Sequence, residues 1–78
     1  MEKNNNKKRT TVRIQGQTYK VVSSEEPAHV KEVASYMNEK MEELKKRNPY
    51  LDSAKLAVLT ALNIADEYLK LKRQYEGE

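Results

Sequence analysis

The strongest constraint on this fold comes from residues 57–65, AVLTALNIA, whose apolar side chains would surround most of a helix. A helix that is apolar on most sides must be buried on most sides. One further helix and one hairpin are too little to cover it in a chain of 78 residues. We therefore expect a second copy of the chain to cover part of this helix.

Two apolar seams run along this helix, which we predict from about Ser53 to Tyr75 with Asp52 as its N-cap. The first seam has the alternating spacing of a heptad repeat and is the predicted oligomer interface. Its members are Ala57, Ala61, Ile64, Tyr68, Leu71 and Tyr75. The second seam lies alongside and contains Val58, Leu62, Ala65 and Leu69. Asn63 could fix the pairing register, cap a small contact or face water, and these interpretations stay open.

Residues 10–22 alternate apolar and polar side chains in two runs, which predicts a β-hairpin. Gly16 and Gln17 suit a two-residue type II′ turn, because glycine stands at its first central position. This turn would place Arg13 opposite Lys20. It would also collect one apolar face, formed by Val12, Ile14, Tyr19 and Val21.

Pro27 suits the first position of another helix, and apolar residues follow it at helical spacing. Basic residues close the last turn before Asn48 and Pro49, so we predict this helix over residues 27–47. The expected fold class is α+β, with an N-terminal hairpin followed by two helices. The second helix would pair with other copies as a short coiled coil.

The chain divides into three predicted segments. Residues 1–9, MEKNNNKKR, have no apolar side chain after Met1 and are predicted to be a disordered basic tail. Residues 10–50 would form the hairpin and the first helix, and residues 51–78 the oligomerisation helix. A core of about seventy residues rarely supplies more than ~3–5 kcal/mol by itself. The chain has no cysteine and one histidine, so oligomerisation is the expected source of further stability.

The sequence offers no set of residues that would support catalysis. His29 is the only histidine, and no spaced Cys/His set, serine motif or phosphate loop accompanies it. We therefore expect a protein that is not an enzyme and that binds no cofactor or metal. The lack of a long apolar run predicts a cytoplasmic chain without a membrane span.

Two groups of basic residues could bind an acidic partner or could have purely local roles. Arg13 and Lys20 lie close to the basic tail, but basic residues on edge strands also deter aggregation. The second group lies on the first helix, where cations near the C-terminus also stabilise the helix dipole. Its members are Lys40, Lys45, Lys46 and Arg47.

The net charge of +3 arises from the tail. Residues 1–9 carry four basic and one acidic side chain, whereas residues 10–78 carry eleven of each. A neutral folded part argues against a nucleic-acid-binding protein. A small dimeric module that contacts phosphates through the tail and hairpin is nevertheless the alternative function. A purely structural coiled-coil fragment is a third.

Two segments resemble the ZapA family of bacterial cell-division proteins. They are VRIQGQTYKV at residues 12–21 and AVLTALNIADEYLKLK at residues 57–72, and the resemblance extends over about residues 10–75. It implies a hairpin and two helices, with the second helix pairing in a dimer and two dimers joining in a tetramer. The seam covers under three heptads, so we expect a dimer and leave the tetramer open.

The resemblance also implies a partner and an activity. The partner is the tubulin-like protein FtsZ, and the activity is promotion of filament assembly and bundling at the mid-cell division ring. Basic residues would meet this acidic polymer, and binding should weaken with salt. Our candidates for the contact are Arg13, Lys20, Lys40, Lys45, Lys46 and Arg47.

Overall fold

The computed structural model describes residues 7–77 and places two strands and two helices within them. The elements are β1 (Lys8–Ile14), β2 (Gln17–Ser23), α1 (Pro27–Arg47) and α2 (Ser53–Glu76). The predicted α+β order of a hairpin followed by two helices is confirmed. The helix α1 has the predicted bounds, and α2 ends one residue after the predicted Tyr75.

The hairpin begins earlier than the sequence pattern indicated. Lys8 and Arg9 belong to β1 rather than to the tail, because Ser23 and Val22 of β2 pair with them. Lys8 Nζ also forms an ion pair with Glu26 Oε2 at 3.0 Å. Lys7 is exposed and precedes β1, and residues 1–6 of the predicted disordered tail lie outside the described residues.

The turn of the hairpin is centred on Gln15 and Gly16, and not on the predicted Gly16 and Gln17. Gln15 has a φ of 52° and Gly16 a φ of 80°. Positive φ at both central residues is the requirement of a type I′ turn. The predicted register is therefore wrong: Arg13 lies opposite Thr18, and Lys20 lies opposite Thr11.

The side chains predicted on the inner face of the hairpin still share one face in the corrected register. The pairing differs from the predicted one by two residues, and strand side chains alternate with a period of two. Val12 is buried on this face, whereas Tyr19 opposite it is 49% exposed. The other face is exposed throughout, and we call it the hairpin outer face. It consists of Arg9, Thr11, Arg13, Thr18, Lys20 and Val22.

The described residues form two compact units, residues 7–39 and residues 40–77, which divide within α1. In the first unit, Val12 and Ala34 are the buried apolar side chains. Asn38 ties the hairpin to α1, because its Oδ1 accepts a hydrogen bond from Gln15 N at 2.9 Å. Its Nδ2 donates a second hydrogen bond to Arg13 O at 2.8 Å.

In the second unit, Met41 and Leu44 of α1 and Leu56 of α2 are buried. Thr60 is completely buried, and its Oγ1 donates a hydrogen bond to Leu56 O at 2.8 Å, so this buried hydroxyl is satisfied. The predicted N-cap of α2 is confirmed, since Asp52 Oδ1 accepts a hydrogen bond from the Lys55 N–H at 2.8 Å.

Candidate functional site

The helix α2 carries an apolar surface that a single chain leaves exposed. Val58, Leu62 and Tyr75 are 61%, 64% and 76% exposed. Large apolar side chains also lie exposed further along the helix, at Tyr68, Leu69 and Leu71. A contiguous exposed surface of this kind is typical of an interaction site.

The two predicted seams account for this surface. In the first seam Ala57 and Ile64 are half-buried within the chain. The other members of the first seam are exposed, namely Ala61, Tyr68, Leu71 and Tyr75. Every member of the second seam is exposed. The first seam therefore remains a predicted oligomer interface whose members are largely available to a second copy.

A third stripe of α2, which the sequence pattern did not reveal, packs inward. Leu56 and Thr60 are buried, and Asn63 and Glu67 of the same stripe are half-buried. The second seam is displaced from this stripe by two residues, or about 200° around the helix. The stripe was hidden because three of its members are polar. Asn63 belongs to this inward stripe and to neither seam.

An apolar groove of about 440 Å³ borders the first turns of α2. It is lined by Asn48, Tyr50, Leu51, Lys55, Val58, Leu59 and Leu62. Because Val58 and Leu62 belong to the second seam as well, groove and seam form one continuous surface. Tyr50 is 81% exposed beside it. Tyr50 and Leu51 were not among the predicted interface residues, although apolar residues in a short interhelical loop are a usable signal.

The first group of basic residues lies on the hairpin outer face. Arg13 and Lys20 are both exposed there and are diagonal neighbours, because each pairs with a threonine of the other strand. Arg9 lies on the same face. Arg13 Nη2 donates a hydrogen bond to Gly16 O at 3.2 Å, which orients the guanidinium towards the turn. The face carries three cations and no carboxylate, so it can attract an acidic surface.

The second group of basic residues lies in the other compact unit. Lys45, Lys46 and Arg47 are exposed in the last turn of α1. Lys40 differs from them, because its ammonium forms an ion pair with Glu67 of α2 and its side chain is only 17% exposed. Three of the four candidates in this group are therefore accessible, and the fourth is engaged within the chain.

Neither a metal site nor a membrane span was found in the part of the chain that the structure describes. Residues 7–77 contain no group of three or more His, Cys, Asp and Glu side chains placed to hold a metal ion. No helix in this range has the length and apolar character needed to cross a membrane. His29 is exposed near the start of α1.

Comparison with known proteins shows the family to which the chain belongs. The family model described as "Cell division protein ZapA" matches residues 10–78. The chain belongs to the ZapA family. A ZapA protein of Shouchella clausii is 96% identical, with both chains covered completely. The ZapA protein of Geobacillus thermodenitrificans is 57% identical over 90% of this chain and 77% of its own length.

A solved structure of the ZapA family has the same fold. It is described as a ZapA mutant dimer from Geobacillus stearothermophilus, and it is similar with a TM-score of 0.77 at 49% sequence identity. The similarity covers 97% of this chain and 88% of the other. The family model thus covers the residues over which the two short segments indicated a resemblance, and it extends to residue 78.

Proposed function

We propose that this chain is a cell-division accessory protein that binds FtsZ and promotes the assembly and bundling of its filaments at the division ring. Membership of the ZapA family supports the role in division. The observation that carries the mechanism is the exposed apolar surface of α2. A second copy that covers this surface would join two sets of basic residues in one particle. The protein would act as an adaptor, not as an enzyme, and would need no cofactor.

The proposed assembly is a homodimer that pairs α2 with α2 through the first seam. The similar structure from Geobacillus stearothermophilus is described as a dimer, which supports this arrangement. Pairing would remove Tyr68, Leu71 and Tyr75 from water. Full burial of a leucine side chain contributes about 1.5–3 kcal/mol relative to full exposure. We further propose that two dimers can form a tetramer through the second seam and its adjoining groove.

The proposed contacts with FtsZ are electrostatic. Arg13 and Lys20 would act from the hairpin outer face, and Lys45, Lys46 and Arg47 from the end of α1. Lys40 remains a candidate, although its ion pair with Glu67 favours a contribution through the fold. Several weak copies of such a site give avidity and bridge neighbouring filaments. Screening by salt should weaken the contact. The proposed place of action is the cytoplasm at mid-cell.

Sedimentation of FtsZ polymers tests this function when the mass of the protein is measured by light scattering in parallel. The decisive variant is Leu71→Glu, because Leu71 is 53% exposed in one chain and the change should leave the chain folded. Arg73→Glu is the matched control, since Arg73 is exposed near Leu71 but lies outside both seams. We expect Leu71→Glu to lower both the mass and the bundling. Arg73→Glu should retain both.

Two outcomes would contradict the proposal. If the wild-type protein leaves FtsZ polymers unbundled, FtsZ is not the partner. If the Leu71→Glu protein stays oligomeric, the first seam is not the interface. Tight retention of the wild type on duplex DNA at moderate salt would instead favour the nucleic-acid-binding alternative.

A further inference from the structure

The outer edge of β1 has no strand beside it within residues 7–77, where the sheet contains β1 and β2 alone. Two contacts reveal which backbone groups this edge presents. Asn38 of α1 binds Arg13 O and Gln15 N, which lie two residues apart. A neighbouring strand makes the same pair of contacts with an edge. The side-chain amide of Asn38 therefore takes the place of a strand at one end of the edge.

Residue pairs of an antiparallel ladder alternate between two types, so the groups that point outward can be assigned along all of β1. Because Arg13 O faces α1 and not β2, the Arg13–Thr18 pair is of the non-hydrogen-bonded type. The pairs Thr11–Lys20 and Arg9–Val22 follow at intervals of two residues and are of the same type. The N–H and C=O groups of Thr11 and Arg9 therefore point to the outer edge. Such a row of backbone groups is a template for another strand.

A groove of about 270 Å³ runs beside this edge. Its lining consists of Thr11, Val12 and Arg13 from β1, and of Lys31, Ala34, Ser35 and Asn38 from α1. Val12 and Ala34 are the buried members and give the groove an apolar floor. The groove therefore offers both backbone hydrogen bonds and apolar contact to an extended chain.

The cations beside the groove and along β1 favour an acidic occupant. Arg13 and Lys31 line the groove, and no carboxylate is among its lining residues. Arg9 adds a third cation further along the same strand. A second copy of β1 placed here would bring its own arginines against these, and like charges on an edge oppose such pairing. An extended segment with carboxylates would instead match the edge in charge.

We propose that the outer edge of β1 and this groove bind an extended acidic peptide by strand addition. The Thr11 N–H would donate to a peptide carbonyl, and the Thr11 C=O would accept from a peptide N–H. Apolar side chains of the peptide would lie over Val12 and Ala34, and its carboxylates would meet Arg13 and Lys31. The site shares Arg13 with the proposed FtsZ contact, but peptide binding requires neither FtsZ nor a second copy of the chain.

Fluorescence anisotropy with a labelled eight-residue peptide of alternating Glu and Val tests the proposal. Thr11→Pro removes the outward N–H of β1 but no hydrogen bond between β1 and β2. Thr18→Pro makes the same substitution on the outer edge of β2 and is the matched control. We expect Thr11→Pro to weaken binding about tenfold or more, through a lost hydrogen bond and the bulk of the ring. Thr18→Pro should bind like the wild type.

Two further peptides on the wild-type protein keep the test decisive even if Thr11→Pro fails to fold. One replaces Val by Pro, which keeps the carboxylates but does not form a ladder, and the other replaces Glu by Lys. We expect both to lose binding. Absence of binding by the Glu/Val peptide overturns the proposal. Equal binding of the Glu/Pro peptide also overturns it, because attraction between charges alone would then explain the result. FtsZ is absent from the assay, so its outcome is independent of the proposed crosslinking.

Discussion

The side-chain Oδ1 of Asn38 accepts a hydrogen bond from the backbone N–H of Gln15 at 2.9 Å, across 23 positions of the chain. Gln15 has a φ of 52°, a conformation that costs a residue other than glycine on the order of 1 kcal/mol. The hydrogen bond offsets this cost where the turn meets α1. Hairpin register and helix position are therefore linked through one side chain.

Replacing Asn38 by Ala should destabilise the hairpin. The change deletes the hydrogen bonds to Gln15 N and Arg13 O, and we expect a loss of about 1–3 kcal/mol in the free energy of unfolding. Urea denaturation followed by circular dichroism measures it. Asn38→Asp is the contrasting variant, because it keeps the acceptor for Gln15 but sets a carboxylate oxygen against Arg13 O, and it should therefore fail to restore the stability of the wild type. Asn38→Ala protein as stable as the wild type would show that the two bonds contribute nothing net.

Two substitutions in the turn should change the stability of the protein in opposite directions. Gln15→Asn should stabilise the protein by roughly a few tenths of a kcal/mol, because Asn-Gly is the preferred pair of a type I′ turn. Gly16→Ala should destabilise it by about 1 kcal/mol, since Gly16 has a φ of 80°. An added Cβ at Gly16 meets no atom within 4 Å, so the cost would be one of backbone conformation. Thermal melts of both variants measure the effect, and a stabilising Gly16→Ala would contradict the assigned turn.

Local signals were sufficient for the helices and insufficient for the hairpin register. Pro27 begins α1 and Asp52 caps α2, and both are evident from the residues around them. The turn was different, because Gly16 is compatible with either central position of a two-residue turn. In the structure Asn38, 23 positions away, accepts a hydrogen bond from Gln15 N and so supports the observed turn. A long-range hydrogen bond of this kind cannot be inferred from alternation alone.

The candidate site shows the same division between local and long-range information. The apolar seams of α2 followed from spacing, and the structure leaves most of their members exposed. The inward stripe did not follow, since Thr60 is a polar residue whose hydroxyl is satisfied by Leu56 O within the helix. Composition identified Lys40 as a cation but did not show its partner Glu67. Pairing across two helices depends on how the helices pack.

Leu56→Ala and Leu62→Ala should differ in how they depend on protein concentration. Leu56 is 4% exposed, so its truncation should cost about 2–5 kcal/mol at every concentration. Leu62, in the second seam, is 64% exposed in one chain. Any effect of Leu62→Ala should therefore appear only where copies associate. Melts at several concentrations separate the two. A large, concentration-independent loss for Leu62→Ala would contradict the assigned faces of α2.

The ion pair between Lys40 and Glu67 offers a way to separate folding from partner binding. Glu67 is 41% exposed and Lys40 17%, so the pair is partly open to solvent. The net contribution of such a pair to stability is about 1 kcal/mol or less. Lys40→Glu would place two carboxylates together and should lower both the melting temperature and the bundling of FtsZ.

Exchanging the two charges, as Lys40→Glu with Glu67→Lys, should restore the melting temperature because opposite charges again face each other across α1 and α2. We expect bundling of FtsZ to recover as well, since the role of Lys40 would then be to hold the helices together. Lys46→Gln is the contrasting variant, because Lys46 is exposed at the end of α1, and losing its charge should lower bundling with little change in melting temperature. If the exchanged pair recovers its melting temperature but not its bundling, Lys40 contacts the filament directly.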